Sequence, residues 1–255
     1  MNQEKWKTAI SKINKGEIKV RGYDIAEMME KLTFAQAVFL ILKGELPNPA
    51  ESKIMEAILV SSIDHGATPP SALAARTVIS GGNPVNAAIA GGVLTIGDTH
   101  GGAIEQCAKK LQKIVKENNN LEEAAKEIVK KLLEENKKIP GFGHRIHQVD
   151  PRTKKLFKLA DKLRISGKHT KLILAIQNEL TKKTGKEIPI NIDGAIGAVI
   201  SDMGFDWRLG KGFFIISRTP GLLAHAFEEL TREKPMRNLG NTDFEYDGVG
   251  DREIG

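Results

Sequence analysis

The stretch that decides the fold class is residues 25–44, which reads IAEMMEKLTFAQAVFLILKG. Its apolar residues recur at the three- and four-residue spacing of a helix face, and Lys43-Gly44 ends the pattern as helices commonly end. Similar spacing recurs along most of the chain, and the best candidate for a strand is a short hairpin at residues 16–23. The sequence therefore predicts an all-α fold.

Further helices are predicted between turns rich in Gly, Pro and Asn. Their expected bounds are 50–62, 71–80, 86–96, 111–138 with a break at 118–120, 151–163, 170–184, 194–203, 213–216 and 220–231. Because residues 86–96 are rich in Ala and Gly, we expect that helix to be buried and closely packed. We expect the polar, Gly-rich residues 235–255 to form an extended arm.

A length of 255 residues suits one large domain, or a large domain with a smaller lobe packed on it, and we treat residues 1–255 as a single unit with 40% hydrophobic residues to build its core. The only cysteine is Cys107, which rules out an internal disulfide and suits a reducing cytosol. The amino terminus lacks a signal-peptide pattern, and the chain has no run of about 18 apolar residues. We therefore expect a soluble, cytoplasmic protein that does not bind a membrane.

The net charge of +6 and the pI near 9.2 raise the possibility of nucleic-acid binding. However, the lysines alternate with Glu and apolar residues at helical spacing, which is typical of solvated helix faces. Aromatic residues that could stack on bases make up only 5% of the chain. We therefore expect no nucleic-acid partner and interpret the positive excess as suited to a small anionic substrate.

Three of the six histidines lie in turns next to glycine, between predicted helices: His65, His100 and His144. Glycine lets a ligand approach the backbone closely, and histidine titrates near neutral pH. These three are candidates for catalysis or binding, and the alternative for each is a hydrogen-bonded structural residue. The other three have structural interpretations: we expect His147 and His169 to be exposed and His225 to be packed on its helix.

Several motif-based chemistries are absent from the sequence. It has no His-Glu-x-x-His, no pair of histidines four residues apart and no cysteine pair, so we predict no metal site. It also lacks a Gly-x-Ser-x-Gly elbow and a phosphate-binding P-loop. The run Gly141-Phe142-Gly143 lacks the third glycine and the preceding strand of a dinucleotide-binding fingerprint.

One carboxylate and two arginines complete the candidate site. Asp193 lies between apolar residues where a helix is predicted to begin, so it is either a helix N-cap or an acid/base group whose pKa burial raises. Arg152 and Arg218, expected at helix beginnings, can each bind a carboxylate with two donors, or else form surface salt bridges. With the turn histidines, this set fits acid/base chemistry on a polycarboxylate.

These motifs resemble, in order, those of the citrate synthase superfamily. Its amino-terminal signature is similar to Arg21-Gly22-Tyr23-Asp24-Ile25 and to residues 40–47. Its substrate and catalytic histidine segments are similar to Asp64-His65 with residues 71–76, to His100-Gly101-Gly102-Ala103, and to Gly141-Phe142-Gly143-His144 with Asp150-Pro151-Arg152. Its catalytic aspartate and a substrate arginine are similar to Asn191-Ile192-Asp193 and to Ser217-Arg218 with Gly221 and Ala224-His225.

The resemblance implies a compact citrate synthase-like fold, with a large helical domain and a small helical lobe at approximately residues 140–220. It implies three catalytic residues, His100, His144 and Asp193, and three that bind substrate carboxylates, His65, Arg152 and Arg218. The expected contacts to coenzyme A are Gly141, Gly143 and Arg145. Coenzyme A would enter as part of the substrate, and no permanently bound cofactor or metal is implied.

The chain departs from full-length citrate synthases in the interval before Asp64-His65. Only residues 48–63 follow the Gly-Glu-Leu-Pro motif there, where those enzymes carry a long additional segment. This compact form resembles citryl-CoA lyases and the lyase module of ATP-citrate lyase, which implies cleavage of citryl-CoA to acetyl-CoA and oxaloacetate. His100 resembles the synthases, so a short citrate or methylcitrate synthase stays open, as does a non-catalytic CoA-binding partner subunit.

The resemblance also implies a dimer-based homo-oligomer, which could work beside a citryl-CoA synthetase. In synthases an arginine of an Arg-Pro pair near the end of the chain reaches the neighbouring subunit's site. Here Lys234-Pro235 is in register with that pair, and Arg232 and Arg237 lie close by. The sequence does not decide which of these basic residues would be donated.

Overall fold

The structure is a computed structural model that describes residues 6–137, 139–143 and 150–239, with residues 245, 247–248, 250 and 252–253. The predicted site residues His144 and Arg145 lie outside the described residues, as do His147 and part of the arm expected at 235–255. Within the described ranges, every helix is too short or too polar to cross a membrane.

The described residues form eleven α-helices and one small sheet, which confirms the predicted all-α class. The helices are α1 Ile25–Lys31, α2 Phe34–Lys43, α3 Pro49–Ser61, α4 Pro70–Ser80, α5 Val85–Leu94, α6 Ala103–Glu117, α7 Leu121–Glu134, α8 Pro151–Lys162, α9 Lys168–Thr184, α10 Ile192–Asp202 and α11 Gly210–Arg232. A 3₁₀ turn, Trp207–Leu209, precedes α11.

The hairpin expected at residues 16–23 is part of a three-stranded antiparallel sheet. Its strands are β1 Ser11–Asn14, β2 Glu17–Val20 and β3 Tyr23–Asp24, in the order β1-β2-β3. In the β1–β2 register, Asn14 pairs with Glu17 and Ser11 with Val20. Gly16 has a φ of 77°, which favours glycine in the connecting turn.

Local sequence explains where the first long helices begin and end. The Thr33 side chain accepts a hydrogen bond from the backbone of Gln36, whose side chain accepts from Thr33 N in return. Asn48 and Glu51 make the same reciprocal pair at the start of α3, with Pro49 in the first turn. Gly44 ends α2 in the left-handed region, at a φ of 94°.

The largest differences from the predicted helix bounds are at α6 and α11. α6 begins at Ala103 rather than near residue 111, because the apolar face that contains Leu111 continues upstream to Ile104. The separate helices predicted at 213–216 and 220–231 are one helix, α11, although Pro220 lies inside it and has no N–H to donate. Next to this proline, the Thr219 hydroxyl donates a hydrogen bond to the Ile215 carbonyl, with Oγ1 at 2.7 Å from the carbonyl oxygen.

The chain divides into two compact units, Met1–His65 with Ile96–Gly221, and Gly66–Thr95 with Leu222–Gly255. This division does not test the small lobe expected at residues 140–220, which stays a prediction. The core of the first unit contains α10, which is buried around its whole circumference from Gly194 to Ser201. A Cβ on Gly197 would lie 3.0 Å from the Ile104 carbonyl oxygen, so the missing side chain lets α6 pack closely on α10.

The helix predicted at residues 86–96 is α5, in the second unit. Its close packing is confirmed, because a Cβ on Gly92 would lie 2.9 Å from the Ser71 carbonyl oxygen of α4. The predicted burial is wrong: only Ala88 and Gly92 of this helix are buried, and Leu94 is 85% exposed. The small residues therefore allow close approach on one face and leave the rest of the helix accessible.

The start of α9 depends on a carboxylate from another helix. Gly167 precedes α9 and has no side chain to cap it, so Asp202 at the end of α10 accepts from Gly167 N at 2.8 Å and Thr170 N at 3.0 Å. His169 also donates to Asp202, from its backbone and with Nδ1 at 2.9 Å, so the predicted exposure of this histidine is wrong. Burial alone would raise the pKa of Asp202, but these hydrogen bonds outweigh it and lower the pKa.

Replacing Asp202 with Asn should lower the free energy of unfolding by about 2 kcal/mol at neutral pH, because an amide cannot accept all of these bonds. The folded-state pKa of Asp202 is below its usual value. Its stabilisation is therefore complete above the unfolded-state pKa of about 4 and is lost as the pH falls through the folded-state pKa. Urea unfolding should show the wild-type advantage shrinking by about pH 3.5.

The control for Asp202 is Asp161→Asn, a change of an exposed carboxylate on α8. It should change stability by less than about 0.5 kcal/mol. An Asp202→Asn deficit of the same size at neutral and acid pH would contradict the assignment of the stabilisation to the ionised carboxylate.

Candidate active site

The first turn of α10 presents Asp193. The helix is capped by Asn191, whose side chain accepts from Gly194 N at 3.1 Å. The alternative that Asp193 is the N-cap is therefore wrong, and its carboxyl group remains available for other work. A carboxylate in a first turn is also favoured by the helix dipole.

The environment of Asp193 suits a proton-transfer group. Burial raises its pKa to about 6, against the opposing positive charges of Arg152 and Arg218 and with a further contribution from the negative charge of Asp150. The residue nevertheless keeps partial solvent access. A carboxyl group that titrates near neutral pH can serve as either acid or base.

Arg152 lies at the beginning of α8, as predicted, and a buried carboxylate holds it in place. Asp150 caps the helix and is only 1% exposed. It accepts from Arg152 Nε at 3.1 Å and Nη2 at 2.9 Å, and also from the backbone N–H of Ile192 at 3.3 Å. Burial would raise the pKa of Asp150, but these donors and the charge of Arg152 lower it, so the carboxylate stays ionised.

Arg218 lies within α11 rather than at a helix beginning, which corrects the prediction. Its guanidinium is buried, with 3% of the residue exposed, so the surface salt-bridge alternative is wrong. Nε donates to the Ser62 carbonyl at 2.9 Å, and the guanidinium lies 4.8 Å from the ring centre of Phe214. Burial lowers the pKa of Arg218, while Asp64 and Asp193 act in the opposite direction.

His100 lies in the tight turn before α6. The Gly97 carbonyl accepts from His100 N at 3.1 Å, and the imidazole packs edge-on against Phe214 with ring centres 5.6 Å apart. Gly101 has a φ of 81°, and a Cβ there would lie 2.5 Å from the Phe214 ring. Burial, and then the charge of Arg218, lower the pKa of His100, so the ring is neutral at physiological pH and can donate a hydrogen bond without carrying charge.

Arg218 connects most of the predicted site. It interacts electrostatically with His100, Arg152 and Asp193, so these four residues form one cluster in the first unit. His65 is exposed, and its neighbour Asp64 also interacts with Arg218.

Among the residues that the structure describes, no three His, Cys, Asp or Glu side chains are grouped to hold a metal ion.

The loop of Gly141, Phe142 and Gly143 is fixed on the start of α10. Asn191 N donates to the Gly141 carbonyl at 3.0 Å, and Asn191 Nδ2 to the Gly143 carbonyl at 2.9 Å. Gly141 has a φ of 88°, and a Cβ there would lie 2.6 Å from Gly194 Cα. The structure thus shows a packing role for Gly141, and its expected contact with coenzyme A stays a prediction, as does that of Gly143.

Sequence reasoning missed three residues that shape this site: Asp150, Asn191 and Phe214. The sequence could have identified Asp150 and Asn191 as helix N-caps, because Asp before Pro and Asn before a helix are both typical there. No local pattern could have identified Phe214, since its contact with His100 joins distant parts of the chain and its contact with Arg218 depends on the packing of α11.

The basic residues near the end of the chain are largely paired within the second unit. Glu229 is buried and accepts from Arg237 Nε and Arg76 Nε, both at 2.8 Å. Arg232 donates to Glu228 at 2.7 Å. His225 is partly buried with its Nδ1 3.3 Å from an Arg76 nitrogen, as expected for a packed structural residue.

Comparison with known proteins supplies the family. A family model described as the citrate synthase C-terminal domain matches residues 1–53 and 47–239. Citrate synthase 2 of Bacillus subtilis is 29% identical over 85% of this chain and 58% of its own length. The probable ATP-citrate synthase of Dictyostelium discoideum is 28% identical over 90% of this chain and 39% of its own length. The chain therefore spans only part of these relatives.

Solved structures include one of similar length. Citryl-CoA lyase from Hydrogenobacter thermophilus is 49% identical, with a TM-score of 0.91, over 98% of this chain and 97% of that one. ATP citrate lyase from Methanothrix soehngenii, solved with citrate and coenzyme A, shares the fold at 22% identity and a TM-score of 0.81, over 98% of this chain and 43% of that one. With the family model matching most of its length, the chain belongs to the citrate synthase family.

Proposed function

We propose that this chain is a citryl-CoA lyase that cleaves citryl-CoA to acetyl-CoA and oxaloacetate. The observation that carries the proposal is the Asp193 carboxyl group, buried near Arg152 and Arg218 with a pKa of about 6. Such a group can move a proton at carbon while the arginines hold substrate carboxylates. The 49% identity to the Hydrogenobacter lyase over nearly all of both chains supports cleavage within the family's chemistry.

Cleavage begins at the central hydroxyl of citryl-CoA. A general base takes the hydroxyl proton, the oxygen becomes the ketone of oxaloacetate, and the adjacent carbon–carbon bond breaks. We assign this base to His144 from the family resemblance, since it lies outside the described residues. Gly143, the residue before it in the sequence, accepts a hydrogen bond from Asn191 Nδ2 through its carbonyl.

The electron pair of the broken bond passes to the thioester, which becomes the enolate of acetyl-CoA. His100 donates a hydrogen bond to the enolate oxygen. Its lowered pKa supports this role, because a neutral imidazole keeps one N–H that can donate. The Asp193 carboxylic acid then protonates the enolate carbon, which completes acetyl-CoA and leaves a carboxylate. His65, Arg152 and Arg218 bind the substrate carboxylates, and Gly141, Gly143 and Arg145 contact coenzyme A.

A condensing reaction is the second candidate, because His100 matches the synthase pattern. The same groups would run in reverse: Asp193 would remove a methyl proton of acetyl-CoA, and His144 would return a proton to the new hydroxyl. Water would then hydrolyse the thioester of the resulting citryl-CoA and release citrate and coenzyme A. The two candidates therefore differ in the protonation state that Asp193 must begin with. A non-catalytic CoA-binding subunit is the third, and a catalytic assay separates it from both.

We also propose a cytoplasmic homo-oligomer built on dimers, acting alone or beside a citryl-CoA synthetase. Exposed apolar side chains in the second unit support self-association: Phe227 is 61% exposed, and Leu223 and Leu230 lie on the same stripe of α11. Of the basic residues near Lys234, Arg232 and Arg237 are paired within their own chain. This favours Lys234 as the residue donated to a neighbouring subunit.

Purified wild-type protein should release oxaloacetate from citryl-CoA, and Asp193→Asn should slow it by about 1,000-fold or more because the amide cannot protonate carbon. The measurement is a coupled assay of oxaloacetate, with coenzyme A binding followed separately by calorimetry. Asp161→Asn, which changes an exposed carboxylate, should retain wild-type turnover.

If the protein forms citrate rapidly from acetyl-CoA and oxaloacetate but does not release oxaloacetate from citryl-CoA, the lyase assignment is wrong and the protein is the condensing enzyme. Coenzyme A binding without either reaction would support the non-catalytic subunit. Wild-type turnover by Asp193→Asn would overturn the assignment of the acid.

The pH dependence should report the direction of proton transfer. Because cleavage needs the Asp193 acid, its kcat/KM should fall as the pH rises through about 6, whereas condensation needs the carboxylate and should fall as the pH drops through that value. Arg152→Gln removes a charge that lowers this pKa, so it should move the midpoint to higher pH. A cleavage profile that stays flat across this range would contradict the assignment.

Phe227→Asp should convert the oligomer to monomers, because a charge would replace an apolar contact. Sedimentation velocity measures the mass directly, and Met29→Asp, a change of an exposed residue on α1, serves as the control and should leave it unchanged. A wild-type protein that sediments as a monomer at micromolar concentration would contradict the proposed assembly.

A further inference from the structure

A cavity that the proposed reaction does not use lies beside the glycine loop. It has a volume of about 310 Å³, and it is bounded by α6, α7 and α9 together with Lys137, Ile139, Pro140 and Phe142. Its apolar lining comes from Cys107, Leu111, Ile114, Ile128, Leu132 and Ile139, with Pro140, Phe142 and Ile176. A volume of this size is at the lower end of those that hold small ligands.

The inner wall of this cavity is part of the core of the first unit. Cys107, Leu111 and Ile176 are buried there, and they belong to one apolar cluster. Burial raises the pKa of the Cys107 thiol to about 12, so the thiol is neutral and adds no charge to the wall. An occupant of this part of the cavity would therefore have to be apolar.

Charged side chains lie on the outer part of the same lining. Lys110, Lys131 and Lys137 are exposed there with a single carboxylate, Glu135. Glu135 lies 2.8 Å from Lys137 Nζ and 3.9 Å from Lys131 Nζ. One carboxylate among three ammonium groups leaves a positive excess, which favours an anionic head group at the mouth.

We propose that this cavity binds an aliphatic carboxylate of medium chain length. Its hydrocarbon tail would lie between α6, α7 and α9, and its carboxylate would meet the lysines at the mouth. The apolar wall excludes a fully polar anion. The positive rim favours a carboxylate over a neutral head group on a tail of the same length.

The position of the site connects it to the loop that carries the proposed base. Phe142 lines the cavity, while its neighbour Gly141 is in contact with Gly194 on the side of α10. A bound tail would fill the space behind Phe142 and so hold the loop against α10. Binding should therefore raise the thermal unfolding temperature of the protein.

Calorimetry with decanoate as the probe tests the site. Wild-type protein should bind decanoate about tenfold more tightly than decanol, which lacks the charge, and should not bind acetate, which lacks the tail. The double variant Lys110→Gln with Lys131→Gln should weaken decanoate binding by about tenfold. Lys116→Gln with Lys130→Gln removes two exposed charges from the same helices outside the cavity lining, so its affinity should stay within about twofold of wild type.

Two further measurements locate the tail. Ile128→Phe reduces the cavity volume and should weaken decanoate binding by about tenfold, while retained helical circular dichroism shows that the variant is folded. Cys107, the only cysteine, reports occupancy directly, because bound decanoate should slow its reaction with an organomercurial reagent.

Equal affinity for decanoate and decanol, or equal weakening by the two lysine double variants, would overturn the proposed head-group site. Failure of wild-type protein to bind decanoate at millimolar concentration would overturn the proposal as a whole. Displacement of decanoate by coenzyme A would assign the cavity to coenzyme A and would likewise overturn it.

Discussion

The close approach of Gly141 to Gly194 is the contact on which the site depends. A Cβ on Gly141 would lie 2.6 Å from Gly194 Cα, so the loop and the start of α10 can meet only where both lack side chains. This contact lets Asn191 hydrogen-bond to the carbonyls of Gly141 and Gly143. Asp193 lies in the first turn of the same helix, where burial raises its pKa to about 6.

A second constraint is the sharing of one buried carboxylate between two helices. Asp150 caps α8, holds Arg152 through two nitrogens and accepts from the backbone N–H of Ile192 at the start of α10. The guanidinium and the neighbouring Asp193 are therefore positioned by the same group. Arg152 and Arg218 lower the pKa of Asp193 while burial raises it, and the balance leaves an acid that can also act as a base.

Helical spacing predicted the fold class, and Arg152 could be placed at a helix start from the Asp-Pro-Arg run alone. The sequence left Asp193 open as the N-cap of α10, whereas the structure shows Asn191, two residues earlier, in that position. It also could not show that Pro220 is accommodated within α11, or that His169 is paired with Asp202, because tertiary packing decides both. The contact of His100 with Phe214 likewise joins residues that are distant in sequence.

The most direct test of this account is the pKa of the Asp193 carboxyl group in the folded protein. Carbon-13 NMR of protein labelled at the aspartate carboxyl carbons would follow each aspartate as the pH is changed, and Asp193→Asn identifies the signal. We expect one carboxyl group that titrates near pH 6 and disappears in the variant. If the Asp193 signal instead titrates below about pH 4, as an exposed aspartate does, burial does not tune this group and the account is wrong.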